Sequence, residues 1–218
     1  MTSLDRSHVE EWLGGRELPW IGSNAGSTAV QFQQWHHFKE AFTPELVIQA
    51  LDAVETPRRV VDPFGGSGTT ALTCQLLGID STTLEINPFL ADVIRAKLTF
   101  HDPDALREIS RSLIVECRGT DAVALPEGAP STLLEPGHND RFVYTAAAGS
   151  QILRLVREIR KLPDDGHRSF FLAMLGGGLV ELSNVVVNGK GRRYRRSWQD
   201  RPDPGVEGVN DVFLTRVE

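Results

Sequence analysis

A chain of 218 residues with 40% apolar and 24% charged residues is long enough to enclose a substantial core and has the balance of an ordinary globular protein. Its net charge of -6 excludes a protein that coats nucleic acid indiscriminately, since that behaviour rests on many cationic contacts to phosphate. Two widely spaced cysteines, Cys74 and Cys117, offer neither a disulfide framework nor a zinc knuckle, and no stretch has the pattern of a secretion signal or a membrane span, so a cytoplasmic protein without membrane contact is expected.

In chain order, residues 5–13 are predicted to form a short helix, and 14–34, rich in Gly, Ser, Asn and Gln, lack a sustained period. Residues 1–34 are therefore expected to be a connecting or interaction segment. Thr43-Pro44-Glu45 is a helix start, with an N-cap hydroxyl, a proline in the first turn and an acid near the positive end of the dipole. That helix is expected to reach about Ala53. Arg58 to Asp62 reads as a short buried strand, followed by the loop Pro63-Phe64-Gly65-Gly66-Ser67-Gly68 and an apolar helical period from Thr69 to Leu77. Gly78 suits a helix C-terminus, Ile79 to Leu84 gives a second strand ended by Glu85-Ile86-Asn87, and Pro88 opens a helix to about Leu98.

The remainder changes character. A helix is predicted over 104–115, an irregular stretch over 117–145, and two helices over 147–161 and 168–183. Gly176-Gly177-Gly178 inside the second helix is unfavourable by roughly 1 kcal/mol per glycine relative to alanine, which tight packing or a close backbone approach would justify. Beyond it, Gly189-Lys190-Gly191-Arg192-Arg193-Tyr194-Arg195-Arg196-Ser197-Trp198 gathers five cations and two aromatics on an acidic chain. The expected organisation is an α/β core over 35–100, a helical region over 101–186, and a basic loop with a C-terminal helix over 187–218.

The glycine loop is the strongest chemical signal, because a strand ending in Asp62 delivers a carboxylate and bare backbone amides to one place. A phosphate-binding P-loop needs a lysine before Ser or Thr at the helix start, and Gly68-Thr69-Thr70 has none. Gly66-Ser67-Gly68-Thr69-Thr70-Ala71 does fit the dinucleotide pattern G-x-G-x-x-A, with Glu85 nineteen residues beyond Gly66 where a ribose-binding acid belongs. Asp62 weighs against that reading, since a carboxylate there repels a pyrophosphate but accepts hydrogen bonds from a cationic amino group. S-adenosyl-L-methionine carries such an ammonium and has no phosphate. His36 and His37 are adjacent without further ligands at suitable spacing, and no metal is assigned.

The run Asp62-Pro63-Phe64-Gly65-Gly66-Ser67-Gly68-Thr69-Thr70 resembles the cofactor motif of the DNA N6-adenine and N4-cytosine amino-methyltransferases. The resemblance implies that S-adenosyl-L-methionine is bound by Asp62 to Thr70, with Glu85 on the ribose hydroxyls and Ile86 and Asn87 bordering the adenine. The upstream segment His37 to Val47 resembles the motif that precedes the loop in that family and closes over the methionine end of the cofactor, a role it passes to Lys39, Phe42 and Thr43. Leu182-Ser183-Asn184 and Gly189-Lys190-Gly191-Arg192 also look like members with this motif order. The basic run is expected to contact DNA through Lys190, Arg192, Arg193, Tyr194, Arg195 and Arg196, with Trp198 able to stack on an exposed base.

One family element is missing. Such enzymes use a short (Asp/Asn/Ser)-Pro-Pro-aromatic loop that holds the target amino group and stacks on the extruded base, and no Pro-Pro pair occurs here. Asp62-Pro63-Phe64 and Asn87-Pro88-Phe89 belong to the cofactor segments, so no catalytic residue is assigned. Only two strands precede the helical region, whereas a doubly wound sheet needs more. The expected fold is therefore a partial Rossmann-like methyltransferase sheet with a largely helical insertion, completed by a partner chain that also supplies the Pro-Pro loop. The resemblance implies the cofactor-binding subunit of a split DNA methyltransferase, inactive alone, in a restriction-modification or phage-defence setting. Two other readings stand beside it: a non-catalytic cofactor-binding regulatory or assembly module, and a fragment of an NAD-dependent oxidoreductase.

Overall fold

The computed structural model describes residues 5–15, 30–36, 38–119, 123–188 and 191–218. The expectations for residues 16–29, for His37 and for Lys190 lie outside the described residues. The chain divides into two compact units, residues 1–100 and 101–218.

The first unit runs α1 (Ser7–Leu13), a 3-10 turn at Gln33–Trp35, α2 (Pro44–Asp52), β1 (Arg59–Asp62), α3 (Thr69–Leu76), β2 (Asp80–Thr83) and α4 (Pro88–Leu98). Helix ends fall where single residues dictate them. Thr43 is extended before Pro44 but its hydroxyl, expected as an N-cap, makes no capping bond to α2, whereas Asn87 accepts from the Phe89 amide at 3.0 Å and Gly78 ends the α3 turn at a φ of 67°. One apolar cluster joins Val9, Trp12 and Leu13 of α1 to Val30, Ile48 and Leu72, and a second joins Val47, Leu51, Cys74 and Ile79.

β1 and β2 pair in parallel with Asp62 opposite Thr83, and the ladder continues through Leu84 N to Asp62 O and Gly65 N to Leu84 O, both at 2.9 Å. Val60 packs into the second cluster, on the face that α2 and α3 cover. The opposite face carries Arg59, Val61 and Thr82, all exposed, and Val61 keeps 60% of its surface. The expected buried strand is thus only half covered, because parallel strands are buried when helices lie on both faces and neighbours on both edges, and this sheet has two strands. The fold class is mixed α/β with a small parallel sheet.

The second unit runs α5 (Pro103–Glu116), an irregular stretch over 123–145, α6 (Ala146–Ile159), α7 (Asp165–Leu182), β3 (Val185–Asn188), β4 (Gly191–Tyr194), a 3-10 turn at Trp198–Asp200 and α8 (Gly205–Val217). Asp102, Thr145 and Asp164 cap α5, α6 and α7 with side-chain oxygens. α8 packs against α5, α6 and α7 over a core that includes Leu155, Phe171, Met174 and Phe213. A Cβ on Gly178 would lie 2.6 Å from Val212 Cγ1, so the glycine lets α7 and α8 approach closely. The basic run, read from the sequence as a loop, is instead largely a strand: β4 pairs antiparallel with β3, Val185 opposite Tyr194 and Val187 opposite Arg192. Among the described residues no helix is long and apolar enough to cross a membrane.

Candidate functional site

The glycine loop leaves the tip of β1 and re-enters at α3, and two of its residues hold backbone conformations open to glycine. Gly66 has a φ of 53° and Gly68, the N-cap of α3, a φ of 84°. The turn closes with Gly68 N donating to Gly65 O at 2.8 Å. Both expected acids flank it. Asp62 Oδ1 accepts from the Phe64 amide at 3.0 Å, while its Oδ2 is buried with no hydrogen-bond partner among the described residues. Glu85 reaches back from the end of β2, Oε2 accepting from the Gly66 amide and Oε1 from the Asn87 amide, each at 2.7 Å.

A carboxylate oxygen shut away from water without a donor is an unfavourable arrangement unless a donor arrives. Asp62 Oδ2 is therefore suited to a cationic amino group. Each Glu85 oxygen uses one acceptor site on backbone and has capacity left for vicinal hydroxyls. Phe64 and Ile86 stand at the same end of the sheet with 85% and 101% of their surface exposed, offering apolar surface to a flat ligand.

Two side chains that the sequence reading did not select hold the loop from behind. A Cβ on Gly66 would lie 2.9 Å from Phe38 Cε1, so the Phe38 ring lies against the loop. Lys97, on α4, is only 4% exposed, and its Nζ donates to Ser67 O at 2.8 Å and to Gln33 Oε1 at 3.2 Å. Burial pushes its pKa down to about 7. Its position was readable: Leu90, Val93 and Ile94 mark the buried face of α4, and Lys97 follows at helical spacing.

The other expected ligand residues are distributed differently. Thr43 is fully buried at the start of α2, Ser67, Thr69 and Thr70 are buried in the loop and the first turn of α3, and Lys39 is exposed in the turn before α2. Pro63 is exposed at the loop entrance. Phe42 shares a wall with Thr70, the last residue of the loop motif. It lines an apolar groove of about 560 Å³ together with Leu46, Val47, Leu51, Val60 and Thr70, while Asn87 uses its side chain to cap α4.

In the second unit the hairpin separates the basic residues by what their side chains touch. Arg192 and Arg193 are exposed on β4, and Arg196 is exposed just beyond it. Arg195 turns inward, donating from Nε to Ser183 O at 3.1 Å and from Nη2 to Val180 O at 2.9 Å, at the C-terminus of α7. Tyr194 stacks at a tilt on Trp198, centroids 5.1 Å apart.

Comparison with known proteins places part of the chain. Over 75 residues, 34% of this chain, it is 36% identical to the type II methyltransferase M.MjaII of Methanocaldococcus jannaschii, covering 14% of that protein. Over 56 residues, 25% of this chain, it is 41% identical to the type II methyltransferase M.BsoBI of Geobacillus stearothermophilus, covering 11% of it. Over 79 residues, 35% of this chain, it is 33% identical to the type II methyltransferase M.AvaI of Nostoc sp., covering 16% of it. The matched stretches thus span 11% to 16% of these relatives. No family profile matches the chain, and no solved structure does. These partial matches make between 25% and 35% of the chain similar to type II methyltransferases, in keeping with the family that its glycine loop and helix-start motif resemble.

Proposed function

We propose that residues 35–100 bind S-adenosyl-L-methionine and that the chain is the cofactor-binding part of a DNA amino-methyltransferase, acting on adenine N6 or cytosine N4. The observation that carries this reading is the buried Oδ2 of Asp62 at the tip of β1, which has no hydrogen-bond partner among the described residues. In the proposed complex Asp62 takes the cofactor ammonium and Glu85 its ribose hydroxyls. The loop from Pro63 to Thr70 supplies backbone against the methionine portion, Ile86 and Asn87 border the adenine, and Lys39 and Thr43 stand toward the carboxylate end. The residues present fit that ligand: two carboxylates serve one ammonium and one diol, and Asp62 at the loop entrance repels a pyrophosphate.

When bound, the cofactor supplies a methyl group on a sulfonium. What this chain contributes is orientation: fixed carboxylates and backbone hold the donor in one pose, and Phe38 and Lys97 keep the loop in register. The Pro-Pro-aromatic loop that would hold the target amino group is not among these 218 residues and, in this reading, comes from a second methyltransferase subunit. The unpaired edges of the two-stranded sheet support a partner that continues it into a Rossmann-like one, and the bare face at Val61 supports one that covers it. Arg192, Arg193 and Arg196 stand ready for DNA phosphate, and restriction-modification is the proposed setting.

Calorimetric titration tests the core of the proposal. The chain is expected to take up S-adenosyl-L-methionine in preference to NAD, and Asp62→Asn to weaken uptake at least tenfold, the loss of one charged hydrogen bond being about 1.5–3 kcal/mol. Equal uptake by the variant, or preference for NAD, refutes it. The missing Pro-Pro pair also suits a non-catalytic regulatory module, and labelled-methyl transfer to DNA by a complex with a Pro-Pro-bearing subunit separates the two.

A further inference from the structure

We propose that the stretch 132–141 and strand β4 form a nucleotide pocket that lodges one phosphodiester-linked nucleotide of DNA, its phosphate on Arg141 and Arg192 and its base or sugar edge on Tyr194 and Asn139. The proposal deepens the methyltransferase reading and rests on it for the identity of the nucleic acid. The cavity measures about 560 Å³ and is lined by Thr132, His138, Asn139, Arg141, Arg192 and Tyr194, a size within the range of small-molecule sites. Of these six, two are guanidiniums, one is an imidazole and none is a carboxylate, on a chain whose net charge is -6. Asp140, the nearest acid in the sequence, sits at the tip of the turn and outside the lining.

The walls are tied together by backbone. Val143 N donates to Thr132 O at 2.8 Å and Tyr144 N to Leu133 O at 3.1 Å, closing the stretch over 132–144 on itself. His138 and Arg141 exchange amide bonds at 3.1 and 3.2 Å around Asn139 and Asp140, whose φ values of 51° and 55° suit a two-residue hairpin turn. Asn184 N donates to Val143 O at 2.8 Å, and Arg195 N to Asn184 O at 2.9 Å, so the open end of the β3–β4 hairpin closes on itself and is anchored to that stretch through Asn184.

The side chains then supply complementary chemistry. Arg192 and Tyr194 are two residues apart on β4 and share a face. The Arg141 guanidinium carbon lies 6.0 Å from the Tyr194 ring centroid, and Trp198 backs that ring while meeting Phe142 edge-on at 5.2 Å. Guanidiniums bind phosphate oxygens in pairs. An arginine-flanked tyrosine offers a planar surface to a base, and Thr132, His138 and Asn139 add directional hydrogen bonds. Charge alone would give an open basic patch. Here the cations line an open cavity beside an aromatic ring.

The test is fluorescence anisotropy of the full chain with a labelled duplex oligonucleotide across salt concentrations, with thermal melting to confirm folding. Arg141→Gln, outside the basic run, is expected to weaken binding about tenfold and to reduce the salt slope by about one phosphate contact. Asn139→Gly keeps the turn, since glycine accepts its φ, and is expected to weaken binding severalfold. Arg111→Gln, on the exposed face of α5, makes the same charge change elsewhere, and an equal effect from it overturns the pocket. Competition by unlabelled duplex or single strand supports a DNA site, whereas AMP competing equally well overturns that assignment in favour of a free nucleotide. S-adenosyl-L-methionine titration on the same samples keeps the two readings apart. Normal cofactor uptake with DNA binding indifferent to Arg141 sinks the pocket alone, and a selective Arg141 effect without cofactor uptake sinks the methyltransferase reading alone.

Discussion

Glu85, at the end of β2, accepts a hydrogen bond at 2.7 Å from the amide of Gly66, the loop residue whose φ is 53°. Its second oxygen serves Asn87 N, so one carboxylate joins the glycine loop to the start of α4. Glu85→Gln puts an amide NH2 where one of two backbone donors points. It is therefore expected to lower the melting temperature as well as to weaken S-adenosyl-L-methionine at least tenfold, an effect of about 1.5–3 kcal/mol. Calorimetry and thermal melting read both. An unchanged melting temperature would show that the Gly66 and Asn87 contacts do not hold the loop.

Gly65 offers a test of how tightly the loop is seated on β2. A Cβ there would lie 2.4 Å from Thr83 Cγ2 and 3.2 Å from Leu84 O. Gly65→Ala is expected to destabilise the first unit by about 1–3 kcal/mol through overpacking. Thr83→Ser removes the methyl that clashes, so the double variant should recover part of the loss. Additive losses in urea unfolding would mean that the contact is not the cause.

Local structure was legible in the sequence wherever one residue fixes the backbone. Thr43-Pro44, Gly78 and Asn87-Pro88 mark ends of α2, α3 and α4, because a cap or a positive φ acts over a few residues. The β3–β4 hairpin was not legible: β4 reads Gly-Arg-Arg-Tyr, without apolar alternation, and becomes a strand by pairing with Val185–Asn188. Phe38 and Lys97 were missed for a related reason. Their partners at Gly66 and Ser67 are distant in sequence, and a lysine on an amphipathic helix is ordinarily assigned to water. Arg195 looks like its basic neighbours in sequence, and only its contacts with Val180 and Ser183 separate it from them.

Lys97 should make the stability of the first unit depend on pH. Its folded pKa of about 7 lies below its ordinary value of 10.5, so between those values the unfolded chain holds a proton that the folded chain has released. Stability from this group therefore rises with pH across that window, and its charged, buried form is most unfavourable below about 7. Above 9 the buried thiols of Cys74 and Cys117, whose pKa values burial raises, act in the opposite sense. The clean interval is thus 7 to 8.5. Urea midpoints should climb over that interval in the unmodified chain and climb less in Lys97→Met. Parallel curves would mean that Lys97 does not titrate there.

Arg195 and Arg193 are predicted to part company when each is replaced by alanine. Arg195 donates to Val180 O and Ser183 O, and Arg201 joins it on Ser183 O and on Glu181 O, so two cations gather at the C-terminal end of α7. Losing Arg195 removes one donor from each of two carbonyls, although Val180 O keeps Ser183 N and Oγ and Ser183 O keeps Arg201, so the expected loss is about 1 kcal/mol, a drop of a few degrees in melting temperature. Arg193 is exposed on β4 and makes no comparable bond among the described residues, so its loss should leave melting unchanged and flatten the salt dependence of DNA binding. If Arg195→Ala melted like the unmodified chain yet lost DNA, its guanidinium would be a phosphate ligand after all, and the division of the basic run into anchoring and binding residues would fail.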